Sequence, residues 1–277
     1  AMFQEARKFN QNISTWKAAP TSMSYMFAEA TSFNQDISSW DVSKVSNMNR
    51  LFDLAAQFNQ DISSWNVSNV TDMTNMFNGA TALSDNNKCA IQQSFKSQRP
   101  SVWPYDWVFS PTTLGELQTA VNAWIDDKNA WMAATGWGDI NTWCTTSITD
   151  MQDLFKDKNT FNDNISNWDV SNVTNMHGMF EGAEAFNQNL SSWNVSNVTD
   201  MREMFRGAEQ FDGSIGNWTV SNVTNMRKMF RTAENFNQDI SSWDVSSVVD
   251  MEAMFQEARK FNQNISTWKA APTSMSY

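Results

Sequence analysis

Residues 165–189 read ISNWDVSNVTNMHGMFEGAEAFNQN, and residues 190–214 read LSSWNVSNVTDMREMFRGAEQFDGS. One is a copy of the other. The apolar positions of the first copy are Ile165, Trp168, Val170, Val173, Met176, Met179, Phe180, Ala183 and Phe186. Trp168 and Val170 alternate with Asp169, as in a half-buried strand. From Met176 the spacing becomes i, i+3, i+4, i+7, which is one face of a short helix. Thr174 or Asn175 stands where such a helix is capped, and Gly182 stands near its end. Each copy is therefore expected to form a strand, a corner, about two helical turns and a return loop.

The same text recurs along the chain. Trp143, Trp168, Trp193, Trp218, Trp243 and Trp268 are spaced by 25 residues, and Trp16, Trp40 and Trp65 form a second series at spacings of 24 and 25. The expected fold class is α/β: a leucine-rich-repeat-like solenoid of 25-residue strand-helix coils, with these tryptophans in its core. A single coil buries too little to fold alone, so the array is the folding unit. The Asn after each coil's second Phe, for example Asn34, Asn187 and Asn262, is expected to point inward and bond backbone; Asp212 replaces it once.

Between Leu83 and Ile140 the period breaks. Ser84 or Asp85 can cap a helix in which Ile91 and Phe95 share a face. Residues 97–112 hold prolines with Trp103 and Trp107 and read as an ordered linker. Leu114, Leu117, Val121, Trp124, Ile125 and Met132 make the stripe of a second helix, with Thr113 and Glu116 as its capping box. Solenoid ends need covers, so these two helices are expected to be caps. The expected division is 1–96 (last repeats and C-cap of one module), 97–112 (linker) and 113–277 (N-cap and first repeats of the next). Residues 253–277 repeat residues 1–25 letter for letter, a long period of 252. The chain thus reads as a window on tandem modules.

Composition narrows the partners. The chain has 14 Trp and 19 Phe but 3 Tyr and one His, as expected when one motif is copied. Its net charge of −11 disfavours nucleic acid. No apolar run is long enough to span a membrane.

The stretches FNQDISSWNVSNVTDM (58–73) and NMFNGA (75–80) resemble the repeat of BspA-like leucine-rich-repeat surface proteins. ALSDNNKCAI, WPYDW, PTTLGELQTAV and GDINTW, at 82–91, 103–107, 111–121 and 138–143, resemble segments that accompany it. The resemblance implies secretion, an extracellular place at the cell surface, and adhesion to matrix or to other cells, with no catalytic residues. TWKAAPTSMSYMF (15–27) departs from the repeat by losing a residue and the V-S-N-V-T corner.

The remaining candidates are weighed on their chemistry. His177 has no partner in sequence and reads as a surface residue. Asp126 and Asp127 read as solvated charges, so no acid–base pair is expected and the chain is expected not to be an enzyme. Asp41, Asn66, Asp169, Asn194 and Asp244 form a polar row on the expected strand face. A soluble outer face is the plainer reading; a ligand-binding solenoid, with glycan, protein or calcium on that row, is the alternative. No other cofactor is expected. Met176 and Met179 read as core filler. Cys89 and Cys144 end one module and begin the next, and are expected either to bridge the modules or to remain two buried thiols. Expected partners are further modules in tandem and a homo-oligomer or bundle formed through helix faces where Glu and Arg alternate.

Overall fold

A computed structural model describes residues 2–16 and 20–269. The irregular corner around residues 17–19 and the final KAAPTSMSY stretch from residue 270 on lie outside them. Two compact units are present, residues 1–108 and 109–277. The boundary falls inside the expected linker, whose residues 97–108 belong to the first unit.

The nine apolar positions of residues 165–186 are all buried, as their spacing implies. The local structure differs from the expected strand and helix. Among the described residues the only helices are α1 (Asp85–Gln98), α2 (Leu114–Thr135) and a 3-10 turn at Ile140–Thr142. No coil contains an α-helix among its described residues, and the stretch around Trp168 is not a strand. The reason is backbone handedness. Gly178 (φ 58°) and Gly182 (φ 67°) are left-handed, as are Glu203 (56°), Gly207 (71°), Lys228 (53°) and Thr232 (58°) in the two following coils. A left-handed residue at every fourth position cannot belong to a right-handed helix. Each instead sits third in a turn closed by a backbone bond: Met179 N–H donates to Met176 O at 3.2 Å and Ala183 N–H to Phe180 O at 3.1 Å. That is the type II pattern, which requires φ > 0 there.

The N–H groups in between leave the coil. Met176, Gly178, Phe180 and Gly182 donate to Asp200, Arg202, Met204 and Arg206 of the next coil at 2.7–3.0 Å. Tyr25, Phe27 and Glu29 bond Asn49, Leu51 and Asp53 in the same way. Alternate donors thus close turns and cross between coils, so every main-chain N–H from Met176 to Ala183 has a partner. Isolated parallel bridges mark the path at Asp150, Asn175, Asp200, Asn225 and Asp250, and at Ser22, Asn47 and Asp72.

Side chains repeat the crossing. The indole N–H of Trp193 reaches Ile165 O at 3.1 Å, and that of Trp218 reaches Leu190 O at 3.0 Å. Asn187 Oδ1 accepts the N–H of Asp212 at 2.8 Å, and Asp212 accepts that of Asn237 at 2.9 Å. This row bonds the neighbouring backbone as expected, but Asn34, Asn187 and Asn262 are exposed rather than inward-pointing. The core between the rows is stacked rings, with Phe180 5.3 Å from Phe155 and 5.4 Å from Phe205.

Each unit has its own core and cover. In the first, Ser84 caps α1 by accepting the N–H of Asn87, and Ile91 and Phe95 are fully buried. The helix completes the groups that a further coil would have met. Gln98 accepts Val67 N–H at 2.8 Å and donates to Trp65 O at 3.1 Å, while Ser94 donates to Ser63 O at 2.6 Å. Phe77 N–H, the counterpart of the crossing donor of Phe52, is taken by the Tyr105 hydroxyl at 2.8 Å. Burial pushes the Tyr105 hydroxyl pKa up, so it stays neutral. Tyr105→Phe leaves that N–H unpaired and is expected to destabilise the first unit by about 1–3 kcal/mol in urea unfolding.

In the second unit Thr113 caps α2, accepting Glu116 N–H at 3.2 Å; Glu116 returns its carboxylate chiefly to the N–H of Thr112, at 2.8 Å. Leu117, Val121 and Trp124 are buried against the first coil. Gln118 donates to Leu154 O at 2.9 Å, the carbonyl whose counterpart Met179 O takes a donor from the preceding coil. The helix kinks at Asp127, whose carboxylate accepts from Asn129 and Ala130 and restarts it.

Candidate functional site

The features with the strongest claim to function are the repeated polar rows. Asp41, Asn66, Asp169, Asn194 and Asp244 are exposed, but they do not form the face of a strand. Each folds back on its own chain, accepting the N–H two residues on: Ser43, Ser68, Ser171, Ser196 and Ser246, at 3.0–3.2 Å. These are Asx turns, which Asp and Asn build equally well, and that explains why the two alternate at this position. One oxygen of each side chain is thereby committed to a corner. Among the described residues no three His, Cys, Asp or Glu side chains converge as metal ligands would.

The same turns set an acid response. Hydroxyl donation from Ser43, Ser246 and Ser241, with their N–H groups, lowers the pKa of Asp41, Asp244 and Asp239; for Asp36 the N–H of Ser38 is the main cause. A carboxylate whose folded pKa lies below its unfolded value stabilises the fold above that unfolded value, about 3.9. The contribution disappears as pH falls through the folded pKa. The melting temperature is therefore expected to hold between neutral pH and about pH 5 and to drop below about pH 4. Replacing the four residues by Asn, which keeps the acceptor, should flatten that drop.

A second row is charged. Glu181 lies between Lys156, at 2.9 Å from the coil before, and Arg206, at 2.8 Å from the coil after. Glu203 takes Lys228 at 3.4 Å, and Arg227 pairs with Glu252. Its hydrogen bond to Glu181 raises the pKa of Lys156. His177 is more enclosed than its sequence position suggests, with its side chain 19% exposed and Nε2 4.0 Å from Glu203. Asp126 and Asp127 are both exposed, as read, and Asp127 in addition restarts the helix. It borders an open groove of about 430 Å³ with Trp124 and Asp163. Asp163 is already engaged there by the Trp124 indole N–H at 2.8 Å and by Lys128 at 3.2 Å.

The tryptophans lie where the period places them. Trp40, Trp65, Trp143, Trp168, Trp193, Trp218 and Trp243 are buried, Trp268 is partly buried and Trp16 is 38% exposed. Cys89, on α1, is 8% exposed and Cys144 is 2% exposed. Neither is a free thiol. Residues that sequence reasoning did not single out are the cap polar groups, above all Gln92. It is 1% exposed, takes Trp107 N–H at 2.7 Å and donates to Val108 O at 3.0 Å, fastening the linker to α1. A glutamine inside an otherwise apolar helix face was its only signal.

The coils match a family model described as "Mycoplasma protein of unknown function, DUF285", over residues 1–89, 126–222 and 190–277. The chain belongs to this family. The segment the DUF285 model leaves unmatched, residues 90–125, holds most of α1, the linker and the first half of α2, where the coil period is interrupted. No curated protein and no solved structure matches the chain. DUF285 is a repeat family rather than an enzyme family. No helix among the described residues is long and apolar enough to cross a membrane.

Proposed function

We propose that this DUF285 chain is a structural and adhesive segment of a long extracellular surface protein, made of tandem leucine-rich-repeat-like solenoid modules of the BspA kind, and that it carries out no catalysis. The observation that carries the reading is how the polar groups are used. The Trp, Asn and Thr rows run from coil to coil: Thr199 and Thr224 hydroxyls donate to Thr174 and Thr199 carbonyls at 3.1 Å, beside the indole and amide rows. Such an array gains length by adding coils and transmits load through many parallel bonds.

Two experiments test it. Protease treatment of intact source cells should remove the chain; full protection inside the cell would contradict the surface location. Stretching a single molecule should release coils in steps of roughly 85 Å, the extended length of 25 residues. One all-or-none event for each unit would contradict coil-wise load bearing. Within the same reading we pair Cys89 with Cys144 as a staple between successive modules. Non-reducing peptide mapping should recover the two peptides joined, and two separately alkylated peptides would contradict the pairing. The calcium alternative predicts a melting temperature that falls on chelation. The Asx turns, which already take one oxygen of each row residue, predict no change with EDTA.

A further inference from the structure

The coil-crossing bonds line up into rows. Glu29 N–H donates to Asp53 O at 2.7 Å, and the N–H of that same peptide unit, on Leu54, donates to Asn78 O at 2.6 Å. The next N–H in the row belongs to Gly79. Such a row is a chain of peptide dipoles pointing one way, each bond polarising the next, with its positive end at Gly79. At the equivalent place Glu29, Leu54, Asp157, Gly182, Gly207 and Thr232 are all left-handed, and each finds a carbonyl oxygen in the following coil at 2.6–2.9 Å. Gly79 is left-handed too (φ 74°), but among the described residues nothing takes its N–H. The row stops where the period stops, with the chain running on through Leu83 into α1.

The cover of the first unit does not replace the missing carbonyl. Tyr105 takes the Phe77 N–H, two residues earlier on the same edge. Gly79 instead lines a cavity of about 230 Å³ with Phe77, Thr81, Leu83, Lys88 and Trp107. Phe77 and Leu83 are buried, and Trp107 meets Phe77 edge-on at 5.2 Å, so much of the wall is apolar. Lys88 brings a charge to it. Asp85 holds that ammonium at 3.0 Å, an exposed pair that leaves N–H donors of Lys88 to spare.

We propose that this cavity binds an organic carboxylate. One oxygen takes the Gly79 N–H, where the carbonyl of a further coil would lie, and the other takes the Lys88 ammonium. The apolar body of the ligand packs against Phe77, Leu83 and Trp107. A polarised backbone N–H with a cation beside it is the kind of donor set that anions occupy at helix starts and in backbone nests. One ammonium, already shared with Asp85, balances a carboxylate better than a phosphate dianion, and apolar walls leave further phosphate oxygens without donors. An extended strand does not fit the same edge, because Tyr105 occupies the N–H in the middle of it. The site is independent of the adhesive reading, and either can fail without the other.

The test is an NMR titration of the purified 277-residue chain that follows the Gly79 amide. Phenylacetate is the carboxylate probe, phenylacetamide its neutral isostere and inorganic phosphate the competing oxyanion. Phenylacetate should move the Gly79 amide proton downfield and saturate, and both other probes should bind at least about tenfold more weakly. Lys88→Gln should weaken phenylacetate by at least about tenfold. Lys96→Gln removes a charge from the same helix, where its ammonium pairs with Asp106 outside the cavity, and should leave the affinity unchanged. A Gly79 amide that phenylacetate does not move would overturn the proposal. So would an affinity that Lys88→Gln leaves unchanged, or one that phenylacetamide or phosphate matches.

Discussion

Trp193→Ala is expected to cost the second unit about 3–5 kcal/mol, enough to unfold part of it at room temperature. Trp193 is 3% exposed, stacked on Trp218 at 6.5 Å with the rings 2° from parallel. Its ring fills the space between coils, and its indole N–H satisfies Ile165 O. Alanine removes both, leaving a cavity and one bond fewer on Ile165 O, which keeps the Trp168 N–H at 3.1 Å. Trp193→Phe keeps most of the ring and isolates the bond, so its cost should be nearer 0.5–1.5 kcal/mol, about the worth of one buried hydrogen bond. Urea unfolding of the two variants separates the contributions. Equal costs would mean that the indole bond, rather than packing, dominates the row.

Phe95→Ala is expected to act on the other unit, with a loss of about 3–5 kcal/mol. Phe95 is fully buried and meets the Trp103 ring edge-on at 5.4 Å. It holds α1 over the last coil of the first unit, where Gln98 and Ser94 complete that coil's backbone. Without it the cover loosens and Phe77 meets water. The two cores have no residue in common. Amide exchange should therefore rise across residues 20–98 in this variant while residues 140–250 keep their protection. An equal rise in both regions would show that the units unfold as one.

The period and the core were legible because both depend on apolar spacing alone. Ile165, Trp168, Val170 and the Met/Phe pairs are buried where the repeat places them. The caps were legible in outline, since Ser84 and Thr113 are local signals. The helix within each coil was not, for a physical reason. Met176, Met179, Phe180 and Ala183 have the spacing of a helix face, and a ribbon of turns closed three residues apart carries the same spacing. The distinguishing sign was a second glycine, Gly178, four residues before Gly182. In other coils Glu203, Lys228 or Thr232 takes such a place and hides it. Asn175, one of the two cap candidates with Thr174, accepts the N–H of His177 at 3.0 Å; the side chain does bond the following backbone, but in a turn and not at a helix start. The polar row was visible as a row, but its commitment to Asx turns depends on backbone direction that spacing does not encode. Tyr105 and Gln98 meet the last coil across 28 and 31 or more residues of sequence, and no local pattern marks such contacts.

The alternation of turn-closing and coil-crossing N–H groups is the central claim, and couplings across hydrogen bonds test it most directly. In a deuterated sample, long-range HNCO spectra should connect the amide nitrogen of Phe180 to the carbonyl carbon of Met204, and that of Gly182 to Arg206. A correlation from Phe180 to Met176 instead, the bond of an α-helix, would contradict the account.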